Sequence, residues 1–189
     1  MKITPVDRYN RIFHIEDIFP KELLDTVIAL DWSNMDWKRG DAQENWLRRH
    51  IECDANPALQ TVVNYIWDSI TEISNICGVA FTNPYPPTWW WYDEPGFDVG
   101  IHTDGHLPAT MQLFWIALDD SYATTFYNSK NPSDPMTNLR FIPNSGYIML
   151  NQPNADGSQP LQWHGMLNKV PIDTFRLTSY TTLGTYENK

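Results

Sequence analysis

Residues 92–105 read YDEPGFDVGIHTDG, and the H-T-D step at their end organises everything around it. On a strand, His102 and Asp104 lie two residues apart and point to one face, with Thr103 on the other. One imidazole and one carboxylate entering the same space make two-thirds of a facial triad. A second imidazole would complete a ligand set that holds a divalent ion on one side and leaves three positions open. A structural zinc site would instead be closed by four protein ligands, often cysteines.

The third ligand has to come from elsewhere in the chain. His164, in LQWHGM (161–166), lies on a strand-like segment, and Gly165 beside it permits close approach of another chain segment. His106 is a rival because H-T-D-G-H spaces three candidates at alternate positions. Four extended residues span roughly 13 Å, too far for one ion with ligands at about 2 Å, unless the chain turns sharply at Gly105. His102, Asp104 and His164 are therefore the expected metal ligands and the catalytic centre.

Twelve residues beyond His164 comes Arg176 in TFRLTSYTTL (174–183). On a strand, Arg176 and Thr178 share a face, and a guanidinium fork with a hydroxyl beside it suits a carboxylate. The rest of the chain supplies a frame. Residues 12–18 read as a short strand, and PKELLDTVIAL (20–30) as a helix. From Pro57 to about Cys77, apolar residues recur at helical steps, with Gly78 as a stop. After residue 80, short strands are expected around 88–93, 97–103, 110–118, 123–128, 138–142, 146–151, 161–166 and 174–184. NSKNPSDPMTN (128–138) reads as an exposed loop. The expected architecture is α+β, mainly β, as one domain of 189 residues: supporting elements in 1–80 and a sandwich or barrel core in 85–186.

The order H-x-D, a distal His followed by Gly, then R-x-T resembles the 2-oxoglutarate/Fe(II) oxygenase superfamily. It is closest to the prolyl-4-hydroxylase-like branch. Tyr92 through Gly96 is similar to that branch's Tyr-to-Gly turn, ATTFYN (123–128) to its G-x-x-F strand, and FIPNSGYIML (141–150) to its P-x-x-G turn and strand. The resemblance implies a double-stranded β-helix, a jelly-roll or cupin-like barrel buttressed by N-terminal helices. It also implies Fe(II), O2 and 2-oxoglutarate as co-substrate, with ascorbate as a candidate accessory. Carried over, His102, Asp104 and His164 bind iron, while Arg176, Thr178 and Tyr92 bind 2-oxoglutarate. The implied reaction is a dioxygenase's hydroxylation of a peptide or prolyl-like amino-acid side chain, with 2-oxoglutarate decarboxylated to succinate and CO2.

The sequence departs from the branch in two places. The hairpin NKVPID (168–173) sets Arg176 further from the distal His, and TMQLFWIALDD (110–120) lacks a Tyr to assist the co-substrate, leaving Gln112 or Trp115. Trp89, Trp90 and Trp91 alternate, so at least one belongs to the core and others form an aromatic wall. Three alternative functions remain open: a hydroxylase of a free small metabolite, a catalytically silent β-barrel binding module, and a cupin-like isomerase or hydrolase using another divalent metal, in which Arg176 would have no special task.

Composition narrows the partners. Thirteen basic and 23 acidic side chains leave a net charge of −10, which repels phosphate backbones and anionic lipid heads. Nucleic-acid and membrane-surface binding are not expected, and neutral or cationic substrates are favoured. Two cysteines, Cys53 and Cys77, in no paired motif, with no signal-like or membrane-spanning run, imply a cytoplasmic protein with reduced thiols.

Overall fold

The computed structural model describes residues 1–39, 47–82, 88–104, 107–121, 123–151 and 162–185. Strands β1 (Lys2–Pro5) and β2 (Ile12–Glu16) form an N-terminal hairpin, followed by helix α1 (Lys21–Ile28). Strands β3 (Lys38–Arg39) and β4 (Arg48–Glu52) precede helices α2 (Pro57–Asp68) and α3 (Ile70–Cys77). The remaining strands are β5 (Phe81–Thr82), β6 (Trp89–Asp93), β7 (Ala109–Ile116), β8 (Thr125–Tyr127), β9 (Pro135–Asn138), β10 (Ser145–Leu150), β11 (Trp163–Gly165) and β12 (Arg176–Thr185).

These strands form two antiparallel sheets. The larger has the order β1-β2-β10-β7-β12-β6-β4-β3, with β5 paired to β12; the smaller has the order β11-β8-β9. Strand alternation divides the large sheet chemically. Met111, Leu113 and Trp115 of β7, Trp90 of β6 and Ile51 of β4 turn one way, into a core shared with Leu59, Val62 and Ile66 of α2 and Ile73 of α3. Phe114 of β7 and Tyr147 and Met149 of β10 turn the other way, against Phe126 of β8. The molecule is thus layered as helices, large sheet and small sheet. Burying the apolar stripe of an amphipathic helix against one sheet face is what leaves the opposite face available for a site.

The helical stretch expected over 57–77 is two helices, not one. Asn56 caps α2 by accepting from the Ala58 N–H, with Pro57 at the first position, and the helix ends at Ser69. Gly78, with φ +69°, takes the left-handed conformation that terminates α3.

Several strand expectations need correction. Residues 97–103 form no strand: among them only His102 pairs, as an isolated bridge. Strand β9 lies at 135–138, inside the segment expected to be an exposed loop, and 139–142 is not a strand. Strands β1, β3, β4 and β5 carried no recognised pattern. For β4 the reason is physical: RRHIE places arginine and histidine where an interior strand usually carries apolar residues.

Candidate metal centre

His102 and His164 meet as a β-bridge. The His102 N–H donates to the His164 carbonyl and the His164 N–H to the His102 carbonyl, each at 2.9 Å. Gly165 makes this possible: a Cβ there would stand 3.1 Å from backbone atoms of Val99 and Gly100. The chain before His102 therefore lies directly against β11, and the two imidazole rings come to a centroid distance of 4.3 Å.

Each imidazole is oriented from behind. His102 Nδ1 lies 2.8 Å from the Gly100 carbonyl, and His164 Nδ1 lies 3.0 Å from the Gln162 carbonyl. A ring nitrogen against a carbonyl must carry the proton, so both Nε2 lone pairs are left for a metal. His102 Nε2 is 3.5 Å from Asp104 Oδ1, and His164 Nε2 is 3.8 Å from Asp104 Oδ2. The three ligand atoms all lie within 4.8 Å of one another. Burial lowers the His164 pKa, with Asp104 partly opposing, which keeps this ring neutral and able to coordinate. Tyr180 donates to Asp104 Oδ2 at 2.8 Å and its ring stacks on Trp91.

The donor set suits a ferrous ion: two neutral imidazoles and one carboxylate, no thiolate, and one open side. That side faces a cavity of about 100 Å³ between the two sheets. Trp91, Gln112, Tyr147, Arg176 and Tyr180 of the large sheet line it, together with Arg48.

The end of the cavity holding Arg48 and Arg176 is built from one row across three strands. Asp93 of β6 is directly opposite Arg48 of β4 on one side and Arg176 of β12 on the other. Arg48 Nε and Nη2 donate to Asp93 Oδ1 and Oδ2 at 2.5 and 2.9 Å, while Arg176 Nε donates to Oδ2 at 2.8 Å. Burial alone would raise the Asp93 carboxyl; Arg48 and Arg176 outweigh it and hold the group below its usual range.

Thr178 is fully buried on the same strand face as Arg176, and its hydroxyl accepts from Gln112 Nε2 at 3.3 Å. Tyr92, expected at the co-substrate, faces away from the cavity. Its ring packs on Trp37 and Phe175, with centroids at 5.2 and 4.6 Å, because alternation along β6 gives the cavity its neighbour Trp91 instead. Of the two candidates on β7, Gln112 lines the cavity, whereas Trp115 lies in the core beneath the sheet. Gln112 Oε1 accepts from the Tyr147 hydroxyl at 2.7 Å, and Tyr147, on β10, lines the same cavity. Trp90 is core; Trp91 lines the cavity, and Trp89 stacks on His50. His106 lies outside the described residues.

No family model and no curated protein matches the sequence. Solved structures do match. The non-heme α-ketoglutarate-dependent epimerase SnoN of nogalamycin biosynthesis aligns with 95% of this chain and 80% of its own, at 10% identity and a TM-score of 0.65. The collagen prolyl hydroxylase of Paramecium bursaria Chlorella virus-1, in its 2-oxoglutarate complex, aligns over 92% and 95% of the two chains, at 12% identity and 0.62. A Pseudomonas putida prolyl-4-hydroxylase aligns over 90% and 91%, at 10% identity and 0.61. This chain has the 2-oxoglutarate/Fe(II) oxygenase fold. In that jelly-roll frame, Arg48, Tyr147 and Tyr180 are cavity residues the sequence did not disclose. Only Tyr180 carried a local signal, alternating with Arg176 and Thr178 along one strand.

Proposed function

We propose that the chain is an Fe(II)- and 2-oxoglutarate-dependent dioxygenase that hydroxylates a peptide or amino-acid side chain. The observation that carries this reading is the convergence of His102, Asp104 and His164 on one point, open to a cavity that ends in Arg176. When bound, ferrous iron would supply the redox chemistry by which O2, 2-oxoglutarate and a substrate C–H become succinate, CO2 and a C–OH.

The chain's own residues do the rest. His102, Asp104 and His164 hold the metal, and the Gly100 and Gln162 carbonyls fix the two rings. Arg176 anchors the far carboxylate of the oxo acid, with Thr178 acting through Gln112 at the cavity wall. Trp91 and Phe97 exclude water around the arginines, which strengthens the charge interaction there.

The likeness to two prolyl hydroxylases favours a peptide or amino-acid substrate, and a net charge of −10 favours a neutral or cationic one. The equally good alignment with SnoN supports a free small metabolite as the second reading. Among the described residues no helix is long and apolar enough to cross a membrane, and both cysteines are free and buried. We place the protein in the cytoplasm, acting as a single catalytic domain.

The test is anaerobic titration of ferrous iron and 2-oxoglutarate into the protein, followed by visible absorption. A weak charge-transfer band that needs both components is expected; its absence from folded, iron-loaded protein would remove the oxygenase reading. Succinate formation stimulated by proline-containing peptides, and not by free metabolites, would then select the first substrate class.

A further inference from the structure

We propose that the cavity between the β1–β2 turn and the small sheet is a second binding site, for a peptide-like ligand whose amide groups carry a bulky apolar side chain. The inference does not depend on the oxygenase reading.

This cavity measures about 620 Å³, within the range of sites that enclose small ligands. Among the described residues it shares no lining residue with the metal cavity. Tyr127 of β8 and Trp163 of β11 line it and stand directly opposite each other in the small sheet. Val6 and Ile12 line it where they close the turn, with the Val6 N–H on the Ile12 carbonyl at 2.9 Å.

The charged residues of the turn are already engaged. The Asp7 carboxylate accepts from the Tyr9, Arg11 and Ile12 N–H groups at 3.1, 2.7 and 2.8 Å, and the Arg8 guanidinium lies 4.6 Å over the Tyr9 ring. Asp7 therefore shapes the turn, and a turn pinned at three N–H groups holds its side of the cavity in place.

Unused polar capacity at buried positions marks the cavity as a binding site. Tyr127 is 5% exposed and Gln162 9%, and both line it. Among the described residues, neither the Tyr127 hydroxyl nor the Gln162 carboxamide has a hydrogen-bond partner. Buried groups of these kinds are normally paired, so a ligand that supplies the partners is favoured. A carboxamide offers two donors and an acceptor, the complement of a peptide unit, and the phenol adds one more contact. Val6, Ile12 and Met136, with the Tyr127 and Trp163 rings, suit an apolar side chain and would gain little from a sugar's hydroxyls. The Gln162 carbonyl lies 3.0 Å from His164 Nδ1, so the site backs onto the metal centre.

The experiment titrates the blocked dipeptide acetyl-Leu-Phe-amide into the full chain and follows the Gln162 side-chain amide and the Trp163 indole N–H by NMR. Methyl glucoside and toluene are the comparison probes. Saturable shifts of both signals with the dipeptide are expected. Read at Trp163, the dissociation constant should rise at least about fivefold in Gln162→Met, which keeps the side chain's length but not its amide. No saturable shift with the dipeptide, binding of glucoside or toluene as tight as the dipeptide's, or an equal constant in Gln162→Met would overturn the proposal. If Gln162→Met does not fold, Tyr127→Phe, which removes only the hydroxyl, is read instead. Weakening by about threefold or more is then expected, and no change overturns the proposal.

Discussion

His102 and His164 donate their backbone N–H groups to each other's carbonyls, so two candidate metal ligands far apart in sequence are fixed as neighbours before any metal arrives. The centre is preorganised by main-chain bonds rather than by the ion. Metal binding and folding should accordingly be separable, unlike in small domains that fold only around their metal.

His102→Ala and Asp104→Ala are expected to stay folded and to lose ferrous binding by at least about a hundredfold, since each removes a candidate ligand and neither side chain belongs to the hydrophobic core. His164→Ala should lose binding equally but also melt earlier, because its ring is buried against Phe126 and Tyr147. Iron titration beside thermal melts checks both. Retained iron binding in Asp104→Ala would remove Asp104 from the ligand set.

Tyr180 does not reach the ligand centre as a donor atom but steadies it through Asp104. Tyr180→Phe removes the 2.8 Å bond to Oδ2 while keeping the ring on Trp91. Iron affinity is expected to fall by roughly tenfold with little change in melting temperature. Equal affinity in the two proteins would make the hydroxyl dispensable.

Gly165→Ala tests the close approach that forms the bridge. The added methyl would meet Val99 and Gly100 at 3.1 Å, so β11 and the His102 segment must separate. A stability loss of about 1–3 kcal/mol is expected, together with weaker iron binding. Denaturant unfolding with and without iron measures both effects.

Asp93 should govern part of the acid stability. Its folded pKa is depressed below the ordinary 3.8, so its stabilisation is complete above that value and is lost as pH falls through the folded one. Asp93→Asn is expected to be less stable at neutral pH by about 3–5 kcal/mol, because it removes from a fully buried position the carboxylate that pairs with both Arg48 and Arg176. Its melting temperature should also fall less than the wild type's on acidification below about pH 4. An identical acid limb in the two proteins would assign that limb to other carboxylates.

The Arg–Asp–Arg row also changes how Arg176 must be tested. Arg176→Ala would both weaken co-substrate binding and leave Asp93 half-paired, mixing two effects. Arg176→Lys keeps the charge beside Asp93 and is the variant in which a raised 2-oxoglutarate requirement can be read.

The candidate metal ligands could be named from the sequence because their signal is chemical and local, and the structure brings the three together. His102 and Asp104 stand two apart, and His164 is followed by a glycine and then an arginine strand. The helical stripe of 57–77 was legible for a similar reason, since a buried helix face repeats at 3.6 residues whatever it packs against. Tyr92 misled because a motif places a residue in sequence but not on a face, and the pairing of β6 with β12 and β4 turned it toward Trp37.

The sequence by itself determined the donor types, their order along the chain, the mainly β character after residue 80 and the two apolar faces that bury the helices. These follow from side-chain chemistry and from local periodicity. Only the tertiary structure decided that His102 pairs with His164, that Tyr147 reaches the cavity from β10, and that Arg48 and Arg176 share Asp93. Each of these depends on which strands become neighbours and in what register. Register is a property of the whole sheet, set by long-range burial, and no local pattern encodes it.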